Sequence, residues 1–236
     1  MEGEYMDLQN IYIGFDRDGT LEMEGVIVPY RLKEQFHSLQ ARGATLFIAS
    51  GKSYIQLQNI CQNLSLTPWL FCAENGAHIL IPEQNIERFE GGDSADFQRF
   101  LKMVDTLPFP AHRTVLKKLI WSKAFDENVF TVIDMLQKLI KEQKLNVSLF
   151  SYPTCGGNIE VLPAEINKTT LLQHIPDKAV IHYIGDSEND LHLMQNNRVI
   201  PHAVGNASDI IKKCVEEKNG TISKDYAGIG VGVLPI

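Results

Sequence analysis

The chain has 236 residues, 44% of them hydrophobic and 22% charged, with 22 Lys and Arg against 29 Asp and Glu. Such ordinary globular usage excludes collagen-like repeats, coiled coil and disorder, and its length sets a prior of one large domain or two smaller ones. A net charge of −7 excludes the clustered basic footprint that a nucleic-acid partner needs.

Ile11 to Phe15 is a short apolar run that stops at the polar cluster Asp16-Arg17-Asp18-Gly19-Thr20, the pattern of a buried strand ending in a loop. Pro29 to Arg42 carries Leu32, Phe36 and Leu39 at helical spacing, with Gly43 placed to end it. Thr45 to Ala49 is a second buried strand, ending at Ser50-Gly51-Lys52. A helix from about Ser53 to Leu64 and a third strand, Trp69 to Ala73, follow. Unbroken apolar strands alternating with helices predict an α/β fold, a parallel sheet covered on both faces. Ligands of such sheets sit at the carboxyl ends of the strands, where both polar clusters fall.

The rhythm changes after Pro82, with His78 to Ile81 closing the first section as a hairpin strand. A helical pattern (Phe97, Phe100, Leu101, Val104), a strand over Thr114 to Trp121, an amphipathic helix over Asp126 to Glu142 and strands at Leu145–Tyr152 and Asn158–Leu162 predict an α+β unit. We assign 1–82 and 158–236 to one α/β core and 83–157 to a smaller inserted, lid-like domain. The parallel pattern then resumes. Asn167 caps a helix from Lys168 to His174, and Val180 to Ile184 is a strand ending at Gly185-Asp186-Ser187-Glu188-Asn189-Asp190. A last strand, Val199 to Val204, and a helix, Ser208 to Glu217, complete it.

Cys61, Cys72, Cys155 and Cys214 lie far apart with no CxxC pair, which reads as buried small hydrophobes rather than a disulfide framework. Met1 to Asp7 is acidic where a signal peptide is basic and then apolar, and no run approaches ~18 apolar residues. A cytoplasmic protein without membrane contact is expected. The seven histidines show no ligand spacing, and Trp69 and Trp121 read as packing residues. Arg113, Lys117 and Lys118 could approach a carboxylate or sugar, although a solvated face explains them better.

Singly, each polar cluster has a plain reading. Asp-x-Asp-Gly is a common turn, Ser50-Gly51 a helix cap, Lys168 a surface charge and Gly-Asp-Ser-Glu-Asn-Asp a capped loop. Together they converge on one sheet edge. Like-charged carboxylates ~4 Å apart repel by about 4 kcal/mol at an effective dielectric near 20, which calls for a cation. Oxygen-only ligands suit Mg²⁺, which keeps room for a phosphate oxygen, and Ser50 and Lys168 can hold the others. These residues describe a metal site for a phosphoryl group.

The four clusters, in this order, resemble the motifs of the haloacid dehalogenase-like (HAD) phosphatases, and the resemblance spans essentially the whole chain. Asp16-Arg17-Asp18-Gly19-Thr20 resembles the first motif, Ile48 to Lys52 the second, Lys168 the third and Gly185 to Asp190 the fourth. The placement of the insert, Glu74-Asn75-Gly76-Ala77 before it and Ile166-Asn167-Lys168 after it, is similar to the Cof-like subfamily. The length is most similar to the archaeal-type phosphoglycolate phosphatases. The resemblance implies a HAD core with an α+β cap. Asp16 is then the nucleophile, attacking phosphorus to give an aspartyl-phosphate, and Asp18 the general acid and then base. Ser50, Gly51 and Lys168 hold the phosphoryl group, and Asp16, Asp18 (by its backbone carbonyl), Asp186 and Asp190 hold Mg²⁺. Gly19 permits the turn, Thr20 braces it, Asn189 supports the metal loop, and Asn75 is a candidate substrate contact. Arg17 stands where an apolar residue is commoner and reads as a salt bridge or rim charge. Lys52 stands where Arg is frequent, facing substrate or solvent.

The expected reaction is hydrolysis of a small phosphorylated metabolite, phosphoglycolate or a sugar phosphate, by a monomer or homodimer. A phosphosugar mutase or phosphotransferase of the same fold is the alternative. A receiver-like phospho-accepting module fits less well, because of the insert and the late acidic motif. A silent binding protein fits poorly with an intact set of Asp16, Asp18, Ser50, Lys168 and Asp186.

Overall fold

The computed structural model describes residues 8–23, 30–110, 112–114, 120–153 and 156–232. The acidic stretch 1–7, Lys117, Lys118, Cys155 and the Arg113 side chain lie outside the described residues.

Eight strands form the larger sheet: β1 (Ile11–Phe15), β2 (Thr45–Ala49), β3 (Leu70–Ala73), β4 (His78–Ile81), β5 (Ile86–Phe89), β10 (Val180–Gly185), β11 (Val199–Ala203) and β12 (Thr221–Ile222). Their order is β12-β11-β10-β1-β2-β3-β4-β5. The pairings from β12 through β3 are parallel, and β4 and β5 close the edge as an antiparallel hairpin. From β1 the chain winds outward through β2 and β3 on one side and returns to β10 and β11 on the other. The carboxyl end of β1 is therefore the topological switch point, where crossovers leave in opposite directions and a crevice opens.

The strands are apolar on both sides because both faces are covered. On one face α1 (Tyr30–Ala41) and α2 (Tyr54–Leu64) bury Leu32, Phe36, Leu57 and Ile60 against Ile13, Phe15 and Ile48. The other face takes α5 (Leu191–Gln195) and α6 (Asp209–Glu217), which place Leu193, Met194, Ile211 and Val215 on Phe47, Ile181 and Tyr183. At ~25 cal/mol per Å² of apolar area, each such side chain contributes about 1.5–3 kcal/mol when fully buried. The expected α/β core with helices on both faces is what forms.

A second sheet, ordered β6-β7-β9-β8, is antiparallel throughout: β6 (Arg113–Thr114), β7 (Trp121–Ala124), β8 (Val147–Tyr152) and β9 (Asn158–Pro163). Helices α3 (Ala95–Val104) and α4 (Val129–Glu142) cover it, with Phe97, Phe100, Trp121, Phe125 and Leu136 at the centre of its own core. Strands next to both expected borders pair across them. β5 follows Pro82 yet pairs with β4, and β9 begins at Asn158 yet pairs with β7 and β8. The smaller unit's strands therefore end at Pro163, five residues before Lys168. Cys61, Cys72 and Cys214 are buried free thiols. No helix among the described residues is long and apolar enough to cross a membrane.

Candidate active site

Asp16 follows β1 directly, and its backbone N–H donates to the Ile184 carbonyl at 2.9 Å, which ties it to the neighbouring strand β10. The chain then turns tightly through Arg17 to Glu22. Gly19 has φ +78°, and a Cβ there would stand 2.2 Å from Asp186 Oδ2, so both the turn and the approach of Asp186 require glycine. The Thr20 hydroxyl donates to Asp186 Oδ1 at 3.0 Å, and Asn206 Nδ2 donates to the Gly19 carbonyl at 2.7 Å. The Thr20 hydroxyl thus ties the first acidic loop to the fourth, and Asn206, beyond Ala203 and without a motif signal, holds the Gly19 carbonyl.

Lys168 is fully buried, raised into the site by a short 3₁₀ turn, Lys168–His174, where the Asn167 side chain accepts from the Thr169 N–H at 2.9 Å. Its ammonium donates to Asp16 Oδ1 at 2.8 Å, to Asp190 Oδ1 at 2.6 Å and to the Tyr183 hydroxyl at 3.3 Å. That uses its three donors. Asp190 is saturated as well. Oδ1 accepts from Lys168 and from the Tyr183 hydroxyl at 2.6 Å, while Oδ2 accepts from the Asp186 and Ser187 N–H groups at 3.1 and 3.2 Å.

Asp16, Asp186 and Asp190 offer ligand oxygens that all lie within 4.8 Å of one another. Three carboxylates against one ammonium leave a formal excess of two negative charges in a buried place. Burial first, then Asp190 and Asp18, push the Asp16 carboxyl up to about 7 against the pull of Lys168. Burial, then Asp16 and Asp190, push Asp186 up to about 8. Burial disfavours the Lys168 ammonium, yet the two carboxylates outweigh it and raise its pKa. A cluster that must otherwise hold protons at neutral pH fits a divalent, oxygen-seeking cation such as Mg²⁺. Asp190, with four donors already on it, differs from Asp16 and Asp186 in having little left to offer.

Asp18 lies outside that cluster. Its carboxylate is half exposed and pairs with Arg17 at 2.9 Å and Lys52 at 3.5 Å. Arg17 also pairs with Glu22, so it is a salt-bridging rim residue, and Lys52 faces Asp18. Ser50 is buried at the carboxyl end of β2, its N–H bonded to the Cys72 carbonyl at 2.9 Å, with Gly51 beside the Asn75 amide. Asn75 has φ +56° and is buried. Its Oδ1 accepts from Asn189 Nδ2 at 3.1 Å, and its Nδ2 donates to Glu160 Oε2 at 3.0 Å. Asn189 in turn accepts from the Ser187 hydroxyl at 2.8 Å. The candidate substrate contact is therefore the middle of a buried chain from the fourth acidic loop to β9 of the smaller sheet. Tyr152, on β8, faces the same place: burial raises its hydroxyl pKa, with Lys168, Asp16 and Asp190 acting on it across the gap. Glu160 and Tyr152 carry no sequence signal, because they read as ordinary strand residues.

A family profile described as haloacid dehalogenase-like hydrolase matches residues 13–129 and 112–230. A 5-amino-6-(5-phospho-D-ribitylamino)uracil phosphatase of Bacillus subtilis is 26% identical over 235 residues, 90% of this chain and 91% of that protein. A phosphomannomutase of Babesia bovis is 23% identical over 234 residues, 86% of this chain and 95% of that protein. Among solved structures, the sucrose-phosphatase of Synechocystis, in complex with sucrose and phosphate, superimposes with a TM-score of 0.70 at 20% identity. It covers 94% of this chain and 95% of its own, a likeness of fold.

Proposed function

From the premise that this chain belongs to the haloacid dehalogenase-like hydrolase family and is an enzyme, we propose that it is a Mg²⁺-dependent phosphatase of a small phosphorylated metabolite. The observation that carries the reading is the buried Asp16–Lys168 pair at the switch point, with Asp186 beside it and the half-exposed Asp18 two residues on. The Asp16 oxygen that Lys168 does not hold attacks phosphorus. The P–O bond to the leaving group breaks as Asp18 delivers its proton, leaving an aspartyl-phosphate and a free alcohol. Asp18, now ionised, takes a proton from water as that water attacks the phosphoryl group, which frees Asp16 and inorganic phosphate. Ser50 holds a phosphoryl oxygen as charge develops, and the Lys168 ammonium, its donors on Asp16, Asp190 and Tyr183, offsets that charge from beneath. Asp16, Asp186 and the Asp18 carbonyl would hold Mg²⁺, which would supply charge neutralisation for the anionic substrate. Asp190 organises this set from behind.

The smaller unit serves as the cap, so the substrate is a compact ester that fits beneath β8 and β9. Between the two substrate classes expected from the sequence, the relatives favour an ester on a hydroxylated carbon chain over phosphoglycolate. The named phosphatases act on a phosphoribityl compound and bind sucrose with phosphate. The phosphomannomutase likeness keeps phosphoryl transfer between sugar positions as the second reading. Phosphate release from a panel of sugar, polyol and glycolate phosphates, with and without Mg²⁺, tests both. Mg²⁺-dependent free phosphate is expected. Isomer formation from a hexose 1-phosphate without free phosphate would favour the mutase, and no turnover of any ester would refute the enzyme reading.

A further inference from the structure

β1 has no side chain at its second-last position. A Cβ on Gly14 would lie 2.1 Å from the ring of Phe47, far inside contact distance. Gly14 is in register with Phe47 on β2 and with Tyr183 on β10. The two rings close over it, stacked with centroids 6.2 Å apart and planes 16° apart. Phe47 fills the space of the missing side chain, and Tyr183 stacks on that ring across Gly14. The Tyr183 hydroxyl donates to Asp190 Oδ1 at 2.6 Å, accepts from Lys168 Nζ at 3.3 Å and lies 3.2 Å from the Ala49 carbonyl. One hydroxyl hydrogen serves one acceptor fully, and the shorter contact is the carboxylate.

We infer that Tyr183 is a positioning residue for the reaction, its hydroxyl fixing the Asp190 carboxylate so that Lys168 is presented to Asp16 and the Asp186 loop is held in place. The inference rests on the phosphatase reading above and adds a residue that the acidic motifs do not contain. Its physical basis is competition for the ammonium. Asp16 and Asp190 both draw on Lys168, and a second donor on Asp190 Oδ1 lessens that oxygen's demand for it. The same hydrogen bond sets the rotation of the carboxylate, and with it the two backbone N–H groups of Asp186 and Ser187 on Oδ2. Tyr183 is fully buried, so water cannot replace the hydroxyl when it is removed.

The test is Y183F, which deletes one oxygen and keeps the ring. Phosphate release is measured on the best ester of the panel with saturating Mg²⁺, alone and in a cycle with D190N. The expected result is a kcat about tenfold lower, the order of loss when one buried hydrogen bond goes. KM should stay within about threefold, and Y183F should cost nothing further in the D190N background, since the hydroxyl acts through Asp190. F47L, which loosens the ring stack and leaves the hydroxyl, should lower the melting temperature while keeping kcat within about threefold. An unchanged kcat in Y183F, losses that multiply in the double variant, or an equal kcat loss in F47L would each overturn the inference. A wild-type protein that turns over no ester would instead remove the phosphatase reading, and this inference with it.

Discussion

The floor and the rim of the site use the same chemistry, carboxylates paired with basic side chains, in opposite surroundings. On the floor, Lys168, Asp16 and Asp190 are buried and joined at 2.6–2.8 Å. On the rim, Asp18 pairs with Arg17 and Lys52 with half of its side chain in solvent. Removing one partner from a buried pair leaves an uncompensated charge at several kcal/mol, whereas an exposed pair is worth about 0–1 kcal/mol and is screened by salt. The floor is therefore built to hold geometry, and the rim to let Asp18 move protons to and from a leaving group and water.

The largest effect should come from breaking the floor. Lys168→Met keeps the length of the side chain and removes the ammonium, leaving two buried carboxylates facing each other. A loss of about 3–5 kcal/mol in stability is expected by denaturant titration. The loss should be smaller in acid, where Asp16 takes up a proton. kcat should fall by about 10²–10³, the range for one lost charge-stabilising donor. A variant that unfolds at the wild-type denaturant midpoint would place Lys168 outside any tight pair.

Next comes the charge excess. With Asp16 at about 7 and Asp186 at about 8, both above the ordinary carboxylate value near 3.9, the folded chain binds more protons than the unfolded chain between those limits. Stability without metal must then fall as pH rises through about 4 to 8, and not increase as it does for salt-bridged carboxylates. Burial lowers His182 and His202, the latter to about 4, which works the other way below about pH 6.5. The clean comparison is therefore with Asp186→Asn. In chelator, its melting temperature should drop less than that of the wild type between about pH 6.5 and 8. Mg²⁺ should raise the wild-type melting temperature more at the upper end of that window, where the ligands are ionised, and raise Asp186→Asn little. Equal pH slopes in the two proteins would contradict the excess.

The smallest effect belongs to the rim. Lys52→Ala should change stability by less than about 1 kcal/mol, and its effect should shrink between low and high salt. A floor-sized loss would show that Lys52 does more than accompany Asp18.

Most of the core was legible in the sequence because buried parallel strands are unbroken apolar runs that end abruptly, and the polar cluster after each run is the site. Asp16, Lys168, Asp186 and Asp190 do converge, and the Thr20 hydroxyl reaches Asp186, a contact the sequence does not announce. What was not legible depends on pairing across space. Ile86–Phe89 is a weak pattern that becomes a strand only because β4 offers an edge. Asn158–Pro163 has no marking that assigns it to the smaller sheet rather than the larger. Asn75 reads as a hinge residue open to substrate, but Asn189 and Glu160 occupy its amide. Tyr183 reads as one more core aromatic, since nothing in the chain shows that its hydroxyl meets Asp190 and Lys168.

The central claim is that Asp16 carries the phosphoryl group. The direct measurement is acid quenching of the Asp18→Asn variant with p-nitrophenyl phosphate and Mg²⁺, followed by peptide mass mapping. Nitrophenolate leaves without help from an acid, while the missing base slows hydrolysis, so the intermediate should accumulate. A phosphoryl group on the peptide that contains Asp16, absent from the Asp16→Asn protein, is the predicted result. Nitrophenol release with no phosphoryl group on that peptide, or with one elsewhere, would contradict the account.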